Sequence, residues 1–170
     1  MSNLSSSNVH VHYDSEELDP LPEVHKFFLK EFKQYKIDSL SITTNNFVTP
    51  NEGIQEQIPS CHSLFGRDKV FEYPLNLING IHRENLAHIH LSDDSWDSTK
   101  PQWECTSNFA MVYSGFTLGK CDYHFVVHEI LRDDKGTKFD AHDYYTPSDI
   151  DYYIKNAAYY REQIASLKKR

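Results

Sequence analysis

The sequence lacks several features that mark common classes of protein. It contains no apolar run approaching the roughly 20 residues that a membrane-spanning helix needs. Its start, MSNLSSSNVHVHYD, has neither the positive region nor the apolar region of a secretory signal peptide. We therefore expect a cytoplasmic protein without membrane association. The length of 170 residues suits a single domain over residues 1–170, with a disordered start at 1–7.

Cysteine pairs and the familiar catalytic signatures are also missing. The three cysteines, Cys61, Cys105 and Cys121, are odd in number and without metal-ligand spacing, so reduced thiols are expected rather than disulfides. The sequence has no P-loop, dinucleotide-binding fingerprint, HExxH, CxxC pair or GxSxG. The ATPases, dehydrogenases, zincins and serine hydrolases that use those motifs therefore lose support.

Positive charge is scarce, because 17 Lys and Arg stand against 25 Asp and Glu, a formal net charge of −8. This balance argues against a protein that coats bare nucleic acid, since phosphate binding depends on Lys and Arg. Residues 1–62 hold 9 of the acidic side chains and only 4 of the basic ones, so much of the acidity lies near the start. Residues 63–170 can therefore still form a local basic patch that binds RNA. We expect Arg67, Lys69, Arg83 and Lys100 to form it.

The first half of the chain contains one strand and one helix pattern. NVHVHY alternates like a strand, and residues 21–36 carry apolar side chains at three- and four-residue spacing, which predicts a helix. Residues 38–60 are polar and without a period, which predicts an insertion or flexible loop, with a short strand at Leu40–Thr43 as the alternative. Glycine and proline break residues 63–85 into loop-like pieces.

The second half contains three strand patterns and a helix. The strand candidates, 86–91, 109–116 and 123–131, are joined by turn-rich segments that favour antiparallel pairing. Thr146 and Asp149 form a capping box around Pro147, which predicts the start of a final helix. This order of elements predicts an α+β domain, in which N-terminal and C-terminal helices cover an antiparallel β-sheet.

The segment LAHIHL, residues 86–91, has histidines at two alternate positions of an apolar run. In a strand, His88 and His90 share one face, and the apolar residues between them occupy the natural core face. Three interpretations are open. The histidines are structural and hydrogen-bonded, they act as general acid or base, or they bind zinc with a third ligand from His124 or His128.

Two further segments carry polar residues that could bind an anion such as a phosphate. FGRD, residues 65–68, sets Arg67 beside Asp68 after a glycine, although such a pair is most often a solvated turn. FDAHDYYTP places His142 just before the final helix, where backbone N–H groups can receive an anion. A capping segment with packed tyrosines is the plainer interpretation of the second segment.

Several motifs occur in one order along the chain: LFGRD (64–68), YPL (73–75), LAHIHL (86–91), TSNFAMVYSG (106–115), HEIL (128–131), DAHD (140–143) and IDYYIKNAAYYRE (150–162). This series resembles the YafO family of toxins from bacterial type II toxin-antitoxin systems, with a family core over residues 64–162. AHIHL, with FGRD upstream and the VY strand downstream, is its most specific part. A weaker resemblance links residues 14–36 to the N-terminal helix of the family.

The resemblance implies a compact fold similar to RelE and related toxins, and a cognate antitoxin protein that holds the toxin inactive. It also implies a ribosome-dependent mRNA endoribonuclease that inhibits translation, with the ribosome and mRNA as its other partners. RNA cleavage of this kind needs no metal or other cofactor, because a base activates the 2′-hydroxyl, an acid protonates the leaving oxygen and cations stabilise the developing charge.

We assign hypothetical roles to the residues of these motifs. His88 and His90, or one of them, would supply acid and base. Arg67 would stabilise the phosphate and Asp68 would orient a partner, while His142 and Tyr113 are secondary candidates.

Two other functions fit the same sequence. The acidic balance favours a degenerate toxin, which would occupy the ribosome or antitoxin without cleaving RNA. The H-x-H pair also allows a metal-dependent hydrolase that uses His88 and His90 as ligands.

Overall fold

The structure is a computed structural model, which describes residues 7–14, 20–133 and 138–169. Six of the seven residues predicted as a disordered start lie outside these ranges. In chain order, the described strands and α-helices are β1 (Asn8–Tyr13), α1 (Glu23–Ile42), α2 (Glu52–Gln55), β2 (Phe65–Val70), α3 (Ile78–Glu84), β3 (Ala87–Leu91), β4 (Ala110–Thr117), β5 (Asp122–Leu131) and α4 (Pro147–Lys168).

The strands form one five-stranded sheet in the order β1-β5-β4-β3-β2. The predicted α+β class, with helices near both ends, is confirmed, and β3, β4 and β5 lie close to the predicted ranges. The prediction of a wholly antiparallel sheet was wrong, because β1 runs parallel to β5 and pairs Asn8 with Asp122. A hairpin forces antiparallel pairing, but β1 and β5 are far apart in sequence and are free of that constraint.

Helix α1 covers one face of the sheet. Its buried side chains, Phe28, Phe32 and Tyr35, pack in one core cluster with the apolar residues of β3, as the alternation of LAHIHL predicted. The helix ends at Ile42 rather than at residue 36, and so the alternative of a strand at Leu40–Thr43 was also wrong.

Residues 38–60 are folded onto the sheet as the end of α1, a 3₁₀ turn at Thr44–Asn46 and helix α2. The buried Gln55 side chain donates to the carbonyl oxygens of Pro50 and Asp68, and it accepts from the N–H of Asp68. The prediction of a flexible loop was wrong for this packed part, because it is anchored by buried, hydrogen-bonded polar groups that show no hydrophobic period, and that the segment is an insertion stays a prediction. That the whole chain is one domain stays a prediction.

The FGRD segment is strand β2 rather than a loop, and Ile78–Glu84 is helix α3. The glycines that suggested loops serve close packing instead. A Cβ at Gly66 would lie 2.1 Å from the carbonyl oxygen of Cys105, and one at Gly80 would lie 3.0 Å from Ile154. Strand alternation in β2 then places Arg67 and Asp68 on opposite faces of the sheet.

Helix α4 covers the other face of the sheet. Its capping box is present as predicted, with Thr146 accepting from the N–H of Asp149 and Asp149 accepting from the N–H of Thr146. Behind this cap, Ile150 and Ile154 are buried in a second core cluster with Leu86, Val112 and Leu131. The face of β3 that carries His88 and His90 therefore lies on the same side of the sheet as this second core cluster.

Candidate active site

An open cleft of about 410 Å³ lies beside β2 and β3 on the α4 side of the sheet. Three separate parts of the chain contribute its cationic and imidazole groups, namely β2, β3 and the turn before α4. The residues that line it are Arg67, His90, Asp93, Thr106, Ser107, Asn108 and His142.

Arg67 is held by the loop that precedes β4. Its Nε donates to the carbonyl oxygen of Trp103 at 2.7 Å, and its guanidinium carbon lies 4.4 Å from the centre of the Trp103 ring. Its backbone N–H donates to the carbonyl oxygen of Cys105 at 2.9 Å. The Nη groups make no hydrogen bond with the described residues, so the fixed guanidinium retains donors for a phosphate.

His90 is held by the backbone of Ser107. Its Nδ1 lies 2.8 Å from the Ser107 carbonyl oxygen and 3.1 Å from the Ser107 nitrogen. The ring can therefore donate to the carbonyl in one tautomer or accept from the N–H in the other. The pKa of His90 is lowered to about 4, chiefly by burial, with the charge of Arg67 lowering it as well. His90 is thus neutral near pH 7, and in the tautomer that donates from Nδ1 to the carbonyl, its Nε2 can accept a proton.

His142 enters the cleft from a 3₁₀ turn, Ala141–Tyr144, and its side chain is exposed. Its Nδ1 lies 2.8 Å from Asp140 Oδ1, and its backbone N–H donates to the same oxygen at 2.9 Å. Hydrogen bonds from the backbone and ring of His142 lower the pKa of Asp140, which is therefore ionised at neutral pH. The carboxylate orients the imidazole and leaves Nε2 for chemistry.

A comparison with protein-family models matches residues 33–162 to one family, described as toxin YafO of a type II toxin-antitoxin system. The chain belongs to the YafO family of toxins. The matched region begins at residue 33, upstream of the family core predicted at 64, and includes the second half of α1. A search of curated proteins and a search of solved structures each found no match.

Membership of the YafO family gives the chain a general role and a partner. It is a toxin of a type II toxin-antitoxin system, and such a toxin has an antitoxin partner. None of the described helices is both long enough and apolar enough to cross a membrane.

The other histidine of the strand, His88, lies behind the cleft rather than in its lining. Its ring centre is 4.4 Å from that of Phe71 and 5.3 Å from that of Tyr145, and its Nδ1 is buried without a hydrogen bond. Burial, followed by the charge of His90, lowers the pKa of His88 to about 3. The ring contacts fit a structural role for His88, but the hydrogen bond that this interpretation included is absent at Nδ1 among the described residues.

Asp68 and Tyr113 lie on the α1 face, away from the cleft. Lys36 Nζ donates to Asp68 Oδ2 at 2.9 Å and to the Tyr113 hydroxyl at 2.8 Å. The Tyr35 hydroxyl donates to Asp68 Oδ2 at 3.0 Å, and the Tyr113 hydroxyl donates to Oδ1 of the same carboxylate. The fully buried network stabilises the packing of α1 on β2 and β4 and has no access to RNA.

Of the four predicted RNA contacts, the structure brings Arg67 alone to the cleft. Lys69 Nζ is 3.3 Å from Glu72, and Arg83 Nε is 2.8 Å from Glu84. Lys100 lines a different, smaller cavity. Arg67 and Lys69 both lie against the Trp103 ring, whereas neither Arg83 nor Lys100 lines the cleft.

The zinc interpretation of His88 and His90 lacks a third ligand. Both ring nitrogens of His128 are already in hydrogen bonds. Nε2 lies 2.9 Å from Ser114 Oγ, and Nδ1 lies 3.0 Å from Asn156 Nδ2. His124 lies on β5, which β4 separates from β3. Within the described ranges, neither His88 nor His90 belongs to a group of three metal-binding side chains.

Three residues that hold the cleft in place were not predicted from the sequence, namely Trp103, Ser107 and Asp140. Asp140 has a local signal, because an Asp two residues before a His can accept from its backbone N–H in an Asx turn. Trp103 and Ser107 hold Arg67 and His90 through backbone atoms. Sequence patterns do not show contacts of this kind.

Proposed function

We propose that this member of the YafO family cleaves mRNA on the ribosome by metal-independent general acid–base catalysis, and so inhibits translation. The supporting observation is the convergence of Arg67, His90 and His142 on one open cleft from three parts of the chain. A guanidinium with unoccupied donors and two imidazoles are the groups that transfer of an RNA phosphate requires.

In the proposed reaction, His90 Nε2 removes the proton of the 2′-hydroxyl, and the 2′-oxygen attacks the adjacent phosphorus. The bond from phosphorus to the 5′-oxygen breaks, and His142 Nε2 gives that oxygen its proton. Arg67 donates hydrogen bonds to the phosphate oxygens as charge accumulates on them. The products are a 2′,3′-cyclic phosphate and a 5′-hydroxyl, with both histidines left in the opposite protonation state.

The two histidines are assigned different roles because their surroundings differ. His90 is buried and its pKa is lowered to about 4, so it is neutral at pH 7, which is the protonation state that a base requires. His142 is exposed beside the ionised Asp140, which is an electrostatic partner for the protonated imidazole of an acid. The negative net charge is compatible with this chemistry if the ribosome, rather than a basic surface on the toxin, holds the mRNA in line.

Transcript ends after induced expression test this function. Wild-type toxin should arrest growth and cut transcripts, and co-expression of the antitoxin should prevent both. Arg67→Ala and His90→Gln should each reduce cleavage at least about 100-fold, the usual scale for a lost acid–base or charge-stabilising group. His82→Gln is the control, because His82 is an exposed histidine on α3 outside the cleft.

Two results would overturn the assignment. Full cleavage by both Arg67→Ala and His90→Gln would remove the cleft from the mechanism. Growth arrest by the wild type with uncut transcripts would replace cleavage with blocking of the ribosome, the function that the formal charge of −8 favours.

A further inference from the structure

A second group of histidines lies at the opposite edge of the sheet from the cleft. β1 is an edge strand, and its parallel pairing with β5 sets His10 directly opposite His124. Asp122 precedes His124 by two residues and so points to the same face. Two imidazoles and a carboxylate from two strands are thus brought side by side.

The donor atoms of these three side chains converge. His10 Nε2 is 3.0 Å from Asp122 Oδ1, and His124 Nε2 is 3.4 Å from the same oxygen. All three donor atoms lie within 4.8 Å of one another. Bonds of about 2.0–2.2 Å to one zinc ion need donors separated by roughly 3.4 Å, which small side-chain rotations would provide here.

His124 and Asp122 are each held in orientation by a hydrogen bond at the side-chain atom that does not face the cluster. His124 Nδ1 lies 3.1 Å from His12 Nε2, which leaves Nε2 of His124 directed at the cluster. Lys168 donates to Asp122 Oδ2, which leaves Oδ1 directed there. Such outer partners, which fix the tautomer of a histidine and the orientation of a carboxylate, are characteristic of metal ligands.

The buried nitrogen of His124 is the observation that points to a ligand. The His124 side chain is only 8% exposed, and its Nε2 has the carboxylate oxygen of Asp122 at 3.4 Å but no hydrogen bond. A buried polar atom without a hydrogen bond is costly and rare in folded proteins. A metal ion bonded to this atom would satisfy it.

We propose that His10, Asp122 and His124 bind one divalent transition-metal ion of the zinc type, which joins edge strand β1 to β5. Imidazole with carboxylate is a donor set that suits Zn²⁺, and a fourth position would remain for water. The ion would anchor β1, an element outside the residues that match the family model. This site lies on β1 and β5, away from β3, and does not depend on the proposed RNA cleavage.

Calorimetric titration of the chelator-treated full chain with ZnCl₂ tests the site. The wild type should bind one Zn²⁺ tightly and should melt at a higher temperature with the ion than in EDTA. His10→Gln should lose this binding and the rise in melting temperature. His10 is suitable because its side chain is 47% exposed, so folding in EDTA should be unchanged. The control is His82→Gln, which replaces an exposed histidine on α3 and should bind Zn²⁺ like the wild type.

Two more variants separate a metal site from a merely hydrogen-bonded cluster. Asp122→Asn keeps the shape of the side chain but should lose binding, whereas His12→Gln should weaken binding by about 10- to 100-fold, the usual effect of an outer partner. Absence of binding by the wild type, or unchanged affinity in both His10→Gln and Asp122→Asn, would overturn the site.

Discussion

Whether a side chain of this protein lines the cleft or is buried depends first on the face of the strand from which it projects. Arg67 lines the cleft, while its neighbour Asp68 is buried in a network on the α1 side. The pair His88 and His90 shares one face as predicted, yet only His90 reaches the cleft. Strand alternation could be predicted from the sequence. The depth of each side chain could not, because it depends on Phe71 and Tyr145, which come from elsewhere in the chain.

The buried pair of Lys36 and Asp68 gives a prediction for stability. Lys36→Met leaves the Asp68 carboxylate buried without its cation, and the free energy of unfolding should fall by about 3–5 kcal/mol. Urea denaturation followed by circular dichroism measures this loss. Lys33→Met, at an exposed position of the same helix, is the matched control and should change stability by less than about 0.5 kcal/mol. Equal stability of the two variants would show that the pair contributes nothing.

At the scale of elements, local signals predicted α4 and failed for β2 and the end of α1. The capping box of α4 is a short-range pattern, and the structure contains it. The end of α1 was missed because Lys36, a charged residue, is buried, so the apolar stripe seemed to stop there. β2 was missed because Gly66 was interpreted as a loop residue, whereas it allows close contact with Cys105.

The cap of α4 can be tested alone. Thr146→Ala removes the hydroxyl that accepts from the N–H of Asp149, and it should destabilise the fold by about 1 kcal/mol. Ser148 lies two residues later, is also exposed and makes no capping bond, so Ser148→Ala should have little effect. Thermal unfolding of both variants beside the wild type provides the comparison, and a stable Thr146→Ala would show that packing alone fixes the start of α4.

For the whole molecule, the class of fold and the family could be predicted from the sequence, but the complete sheet could not. The motif series from LFGRD to IDYYIKNAAYYRE led to the YafO family, and the family match agrees. The parallel partner of β1 is set by contacts between strands more than 100 residues apart, such as Asn8 with Asp122. A pattern confined to either strand contains no information about that pairing.

Buried histidines make the stability of the whole molecule depend on pH. Burial lowers the pKa values of His88, His90 and His128 to about 3, 4 and 3, below the ordinary 6.5. Between pH 6.5 and 4 the unfolded chain binds protons that the folded chain does not. The free energy of unfolding should therefore be highest above pH 6.5 and fall on acidification, by up to about 1.4 kcal/mol per pH unit for each histidine.

Urea unfolding at pH 7 and pH 5 measures this dependence. His88→Leu cannot take up a proton and should lose less stability between the two pH values than the wild type does. An identical loss in the variant would assign the acid sensitivity to other groups.

The chemistry of the cut ends tests the central claim most directly. Attack by the 2′-hydroxyl, with His90 as base and His142 as acid, leaves a 2′,3′-cyclic phosphate and a 5′-hydroxyl. Transcripts isolated after induction of the wild-type toxin should carry these ends at the toxin-dependent cuts, and His90→Gln should remove them. Cuts that carry a 3′-hydroxyl and a 5′-phosphate, the products of attack by water, would contradict the proposed mechanism.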